Sequence, residues 1–175
     1  MKIYTKQGDK GKTQIIGKTV FKSDKIIHCI GKLDSLNTQL GLLITTSPID
    51  SILLERISYE IFVISAVLQN SKYVIDTNLV ADLESAIDYM TEQTPALTNF
   101  IFPYIKTDSA DIGIYISNVH IARCLCREAE RYIVEITDNG DILQFMNRLS
   151  DYLFTFARYV TSIYKIDEIN FKYDR

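Results

Sequence analysis

The stretch DILQFMNRLSDYLFTFARYV, residues 141–160, decides the fold. Within it Ile142, Met146, Leu149, Leu153, Phe156 and Val160 recur at alternating steps of four and three. That spacing lays the apolar side chains along one stripe of an α-helix, and such a stripe must be covered by another element. The same period runs upstream. Ile26, Ile30, Leu33, Leu36, Leu40, Leu43 and Ile44 mark a first helix over 26–46. Ser47, Pro48 and Asp50 then fit the N-cap and first turn of a second helix, reaching about Asn70. Thr77–Asn78 predicts the start of a third, running to about Gln93. Residues 94–113 read as irregular. A fourth helix follows over 115–137, with Asn139–Gly140 as its stop and Asp141 as the start of the fifth. The tail INFKY, residues 169–173, reads as a short strand.

Long helices with short connections predict an all-α, five-helix antiparallel bundle. No repeat, low-complexity tract or linker divides the sequence, so residues 1–175 are expected to form one domain. Residues before about 24 are polar and punctuated by glycine. They cannot fill a core and are expected on the bundle surface, as a non-helical loop.

Composition excludes several function classes. A net charge of −3 and a pI near 5.4 provide no overall positive field for nucleic acid or an anionic membrane. No apolar run approaches the ~18–20 residues that span a bilayer. The N-terminus lacks the apolar region of a secretory signal, which favours a cytoplasmic protein. The three cysteines, Cys29, Cys124 and Cys126, read as unpaired, buried thiols in a reducing compartment. His28 and His120 belong to no E-x-x-H or H-x-x-x-H pair, which excludes a ferritin-like di-metal centre; His120 is expected to pack or hydrogen-bond within the bundle. No G-x-S-x-G and no Ser–His–Asp set is present.

Two segments do carry chemistry. The first is YTKQGDKGKT, residues 4–13. Gly8 and Gly11 have two residues between them, not the four that a Walker A loop requires, so a P-loop NTPase is disfavoured. Glycines nonetheless let backbone N–H groups approach an anion, and Lys6, Lys12 and Thr13 add donors. Taken alone, the segment fits a solvated tight turn equally well. The second is IARCLCREAERYIVEI, residues 121–136, where Arg123, Arg127 and Arg131 recur every four residues and drift only ~40° per step around the helix. Glu128 and Glu130 fit intrahelical partners for these arginines, in which case the face is solvated; forked phosphate contacts are the alternative. Asn147 lies at the edge of the fifth helix's apolar stripe and requires a partner.

The blocks YTKQGDKGKTQIIG, KSDKIIHCIGKLDSLNTQLG, VHIARCLCREAER and NRLSDYLFTFARY, in that order, resemble the PduO-type ATP:cob(I)alamin adenosyltransferases. The resemblance spans most of the chain. It implies a ferritin-like, cobalamin adenosyltransferase-like bundle that assembles as a homotrimer with sites between subunits. It implies ATP contacts from Thr5, Lys6, Gly8, Lys12, Thr13 and Lys22 in the loop, and from Arg127, Glu130, Arg131 and Asn147 on the helices. Phe100 would meet cobalamin, and Arg127, Asn147 and Phe100 would carry the chemistry. Asp34 and Arg123 match a family pair that bridges subunits. Magnesium would accompany ATP, and an electron donor or reductase would supply cob(I)alamin. A non-catalytic polyphosphate sensor would need the same loop but not Phe100, Ile101 and Phe102. The sequence departs from the family in Glu128, where an arginine is usual, in Ser35, where a glutamate is usual, and in the longer segment around 103–114.

Overall fold

Helix ends in this chain are set by short polar side chains, and several differ from the pattern expected from sequence. The computed structural model describes residues 2–4 and 6–172; Thr5 and Tyr173 lie outside them. Helix α1 (Lys25–Thr46) opens at Asp24, whose carboxylate accepts from the Ile26 N–H at 3.1 Å. Helix α2 (Ile52–Leu68) begins at Ile52 and not at Pro48. The Ser47 hydroxyl donates to the Ile49 carbonyl at 2.8 Å, which occupies it in a turn. Asp50 does the capping, accepting from the Ile52 N–H at 2.9 Å. Asn70, at φ 63°, then reverses the chain, with the Ser71 N–H donating to the Ala66 carbonyl.

Asp76, and not Thr77, holds the start of α3 (Asn78–Glu92): its Oδ1 accepts from the Asn78 N–H at 3.0 Å. Helix α4 (Ala110–Val134) starts before the expected residue 115, so the end of the longer segment is helical. Asn139 opens α5 (Gly140–Ile163) and does not close α4. Its Oδ1 accepts from the Asp141 and Ile142 N–H groups at 3.0 and 3.3 Å. Asparagine serves either end of a helix, and here the orphan donors of α5 take it.

The N-terminal segment contains regular structure that the sequence pattern did not show. A single 3-10 turn, Gln7–Lys10, lies between Lys6 and Gly11, both left-handed at φ 61° and 74°. A hairpin follows, β1 (Lys12–Ile15) and β2 (Lys18–Phe21), antiparallel with Lys12 opposite Phe21. Gly17, at φ 82°, makes its two-residue turn. The tail is reduced to one bridge, Ile101 opposite Asn170.

The helices pack in the order α2–α1–α4–α5–α3. Helix α1 runs antiparallel to α4, since Lys25 meets Glu135 and Gln39 meets Asn118. Helices α3 and α5 are parallel neighbours, joined at Glu84–Arg148 and again at Gln93–Ser162. The stripe named first is fully internal: Ile142, Met146, Leu149, Leu153 and Val160 are all at 0% exposure, in one buried cluster with Leu33, Leu36, Leu40, Ile57 and Ile61. Each such side chain contributes about 1.5–3 kcal/mol on burial, which holds α5 to the bundle core. Among the described residues no helix is long and apolar enough to cross a membrane.

Candidate functional site

The glycine-rich segment forms a small cradle. Gln7, Gly8, Lys12, Thr13, Gln14 and Thr19 line a concavity of about 500 Å³. The Gly11 N–H donates to the Gly8 carbonyl at 3.2 Å, and the Lys22 N–H to the Gly11 carbonyl at 2.9 Å, so both glycines and Lys22 form one unit. The Lys12 ammonium lies over the Phe21 ring at 5.1 Å, which braces it across the hairpin. Lys6 and Lys22 are exposed beside these residues in sequence. Among the described residues the cradle packs chiefly against its own 3-10 turn and hairpin, and every lining residue comes from this segment.

The helical residues form a second group. Arg127 is exposed, and Asn147 donates to Glu130 Oε1 at 3.4 Å across the α4–α5 seam. Asn147 is thus exposed, not at a buried edge, because the stripe it follows turns inward at Met146 and Leu149. The three arginines also part company, because the drift accumulates over two steps. Arg123 lines a cleft beside α5, whereas Arg131 lines a concavity of about 470 Å³ with His120, Cys124 and Glu128. Among the described residues Glu128 and Glu130 form no ion pair with these arginines. Glu128 binds Lys32 of α1 at 2.8 Å, one half of an interhelical ion pair. That contact raises the Lys32 pKa above its ordinary value.

The third feature is aromatic. Leu97, Phe100, Ile101, Phe154 and Phe171 line a cleft of about 700 Å³ that Arg123 also enters. Phe100 is 84% exposed at its mouth. Its backbone is held, since the Phe171 N–H donates to the Phe100 carbonyl at 2.7 Å. Sequence reading missed Phe154 and Phe171. Phe154 had one usable sign: it is an aromatic residue lying off the apolar stripe of its own helix.

Asp34 is exposed on α1, and neither it nor Arg123 forms an ion pair among the described residues. Arg123 Nε is buried without a hydrogen-bond partner there, as is His120 Nδ1. Burial, helped by the Arg123 charge, lowers the His120 pKa from 6.5 to about 4 and keeps the ring neutral. Burial likewise pushes the Cys29 thiol up to about 11, and Cys126, which donates to the Met146 carbonyl, higher still. Cys124 is exposed, contrary to expectation, because it faces out of α4 between the buried Ala122 and Cys126. Neither buried thiol, Cys29 or Cys126, is poised as a nucleophile.

A glycine-rich cradle, a polar α4–α5 seam and an aromatic cleft are thus carried by one five-helix bundle. The chain matches the Cobalamin adenosyltransferase family over residues 3–160, and it belongs to that family. It is 32% identical over 187 residues to a corrinoid adenosyltransferase of Bacillus subtilis, covering 98% of this chain and 93% of that one. It is 34% identical over 172 residues to the corrinoid adenosyltransferase PduO of Citrobacter freundii, covering 90% of this chain but 49% of that longer protein. A solved phenylalanine-to-alanine variant of the PduO-type ATP:corrinoid adenosyltransferase of Lactobacillus reuteri, complexed with cobalamin and ATP, superposes with a TM-score of 0.85. It is 33% identical, covering 98% of this chain and all of that one.

Proposed function

We propose that this chain transfers the 5′-deoxyadenosyl group of ATP to cob(I)alamin, giving adenosylcobalamin and free triphosphate. Cobalt supplies the electron pair that forms the new cobalt–carbon bond. The C5′–O bond breaks, and triphosphate leaves with its electrons. The nucleophile is in the substrate, which accords with the raised thiol pKa values and the neutral His120. The protein has two tasks: to align cobalt with C5′, and to stabilise charge on the leaving oxygens. Thr5, Lys6, Gly8, Lys12, Thr13 and Lys22 would hold the phosphates from the loop, with Arg127, Glu130, Arg131 and Asn147 from the helices. Magnesium would travel with the phosphates and neutralise part of their charge; the one carboxylate in this set, Glu130, is already oriented by Asn147. Phe100, Phe154 and Phe171 offer the corrin an apolar cleft, which a polyphosphate sensor would not need.

One observation carries this reading furthest. The cradle and the helical group are both present, yet the cradle draws no residue from the helices of its own chain. Both halves are completed if the cradle of one subunit lies over α4 and α5 of the next. A homotrimer, one adenosyltransferase domain per chain, closes that arrangement, with Asp34 meeting Arg123 across each boundary. Cytoplasmic cob(II)alamin would need an electron donor before transfer. Incubation with ATP, magnesium and chemically reduced cobalamin tests the proposal: the absorbance of the cobalt–carbon product should appear only with ATP. Its absence in the folded protein would refute the transfer.

A further inference from the structure

Arg158 is a buried cation that the transfer chemistry does not use. It stands on α5 at 7% exposure. Its guanidinium forks onto Glu168, with Nε to Oε1 at 2.7 Å and Nη2 to Oε2 at 3.1 Å, and Nη2 also donates to the Pro95 carbonyl at 2.7 Å. Glu168 belongs to the tail after α5, and Pro95 to the loop after α3. One side chain therefore ties together two segments remote in sequence. The tail reaches it because Lys165, at φ 54°, turns the chain back, with the Ile166 N–H donating to the Thr161 carbonyl.

The same two segments pair again beyond the clamp. The Phe102 N–H donates to the Ile169 carbonyl at 2.9 Å, and the Phe171 N–H to the Phe100 carbonyl at 2.7 Å. The Phe102 and Phe171 rings meet edge to face at 5.9 Å. Phe100 and Phe171 are walls of the aromatic cleft. A forked Arg–carboxylate contact fixes geometry as well as energy. A buried ion pair often stabilises no better than apolar residues of equal volume. Its presence here is therefore better accounted for by what it positions.

We propose that Arg158 and Glu168 are a positioning pair that sets loop 95–102 against tail 168–171, and so the placing of Phe100 and Phe171 for the corrinoid. The inference rests on the corrinoid reading of the cleft. The clamp shares no residue with the phosphate cradle, so its effect should fall on one substrate alone.

The test uses the full chain with Arg158→Lys, which keeps the charge and loses the fork, and with the apolar pair Arg158→Met with Glu168→Leu. Amide exchange without substrates comes first. Exchange at Phe102 and Phe171 should quicken about tenfold or more, while core amides of α1 keep their protection. Steady-state kinetics come second. KM for cob(I)alamin should rise about tenfold, with KM for ATP within about twofold of wild type. Unchanged exchange at Phe102 and Phe171 would overturn the clamp, and so would a parallel rise in both KM values. If the apolar pair does not fold, Arg158→Lys decides. Wild-type protein that fails to adenosylate cobalamin would refute the corrinoid reading by itself; exchange at the two amides would still decide whether the clamp sets the cleft.

Discussion

The Lys22 ammonium nitrogen lies 3.0 Å from the point that a β-carbon on Gly8 would occupy, and its Cε lies 3.3 Å away. Glycine at position 8 therefore makes room for a cation over the cradle. Gly8→Ala should displace the flexible end of that lysine and leave the backbone in place. Stability should change by no more than about 0.5 kcal/mol. Nucleotide affinity should fall about tenfold, close to the loss of one charge-assisted contact. Calorimetric titration with ATP and thermal unfolding, run side by side, check both halves. An unchanged affinity would place Lys22 outside the phosphate contacts.

If, as proposed, the cradle of one chain completes the helices of another, the two halves can be complemented. Lys12→Ala should then disable the loop, and Arg127→Ala the seam. Each variant alone should lose about one to two decades of kcat/KM. Unfolded together in equal amounts and refolded, they should form mixed trimers. About one site in four would then combine an intact loop with an intact seam, so activity should return to about a quarter of wild type. No recovery in verified mixed trimers would mean that each site is built within one chain.

Asp34 and Arg123 lack ion-pair partners among the described residues, and Arg123 has a buried Nε to satisfy. If they meet across the subunit boundary, Asp34→Ala or Arg123→Ala leaves the other charge uncompensated. For a fully desolvated pair that costs about 3–5 kcal/mol. Both variants should then dissociate at concentrations where wild type, if the proposed trimer forms, stays assembled. The exchange Asp34→Arg with Arg123→Asp should restore part of the assembly. Light scattering reads the outcome, and intact trimers in both single variants would exclude the pairing.

His120 gives a pH dependence whose sign is fixed. Its folded pKa of about 4 lies below the ordinary 6.5, so between these values the unfolded chain binds a proton that the folded one does not. Stability from this group is complete above pH 6.5 and is lost as pH falls toward 4, by about 3 kcal/mol in all. Urea unfolding across this range, compared with His120→Gln, isolates the contribution. Wild type should lose more stability on acidification than the variant, and parallel slopes would contradict the assignment.

Periodicity in the sequence carried the bundle, because a helix that must bury a stripe writes that stripe at steps of three and four. The ends were less legible, since Ser47, Asp50, Thr77, Asp76 and Asn139 are all able to cap, and tertiary packing chooses among them. The hairpin at 12–21 was hidden because its strands are short and mostly exposed, with Ile15 alone buried. The cradle and Phe100 were visible as residue types in order. Phe171 was not, since its place in the cleft depends on a tail folded back by Lys165 and fastened through Glu168.

The identity of the released phosphate tests the central claim most directly. Phosphorus-31 resonance of a completed reaction, with adenosylcobalamin measured in the same tube, gives the stoichiometry. Transfer from C5′ requires inorganic triphosphate, formed one for one with adenosylcobalamin. Release of ADP or pyrophosphate in its place would contradict attack at C5′ and with it the assigned reaction.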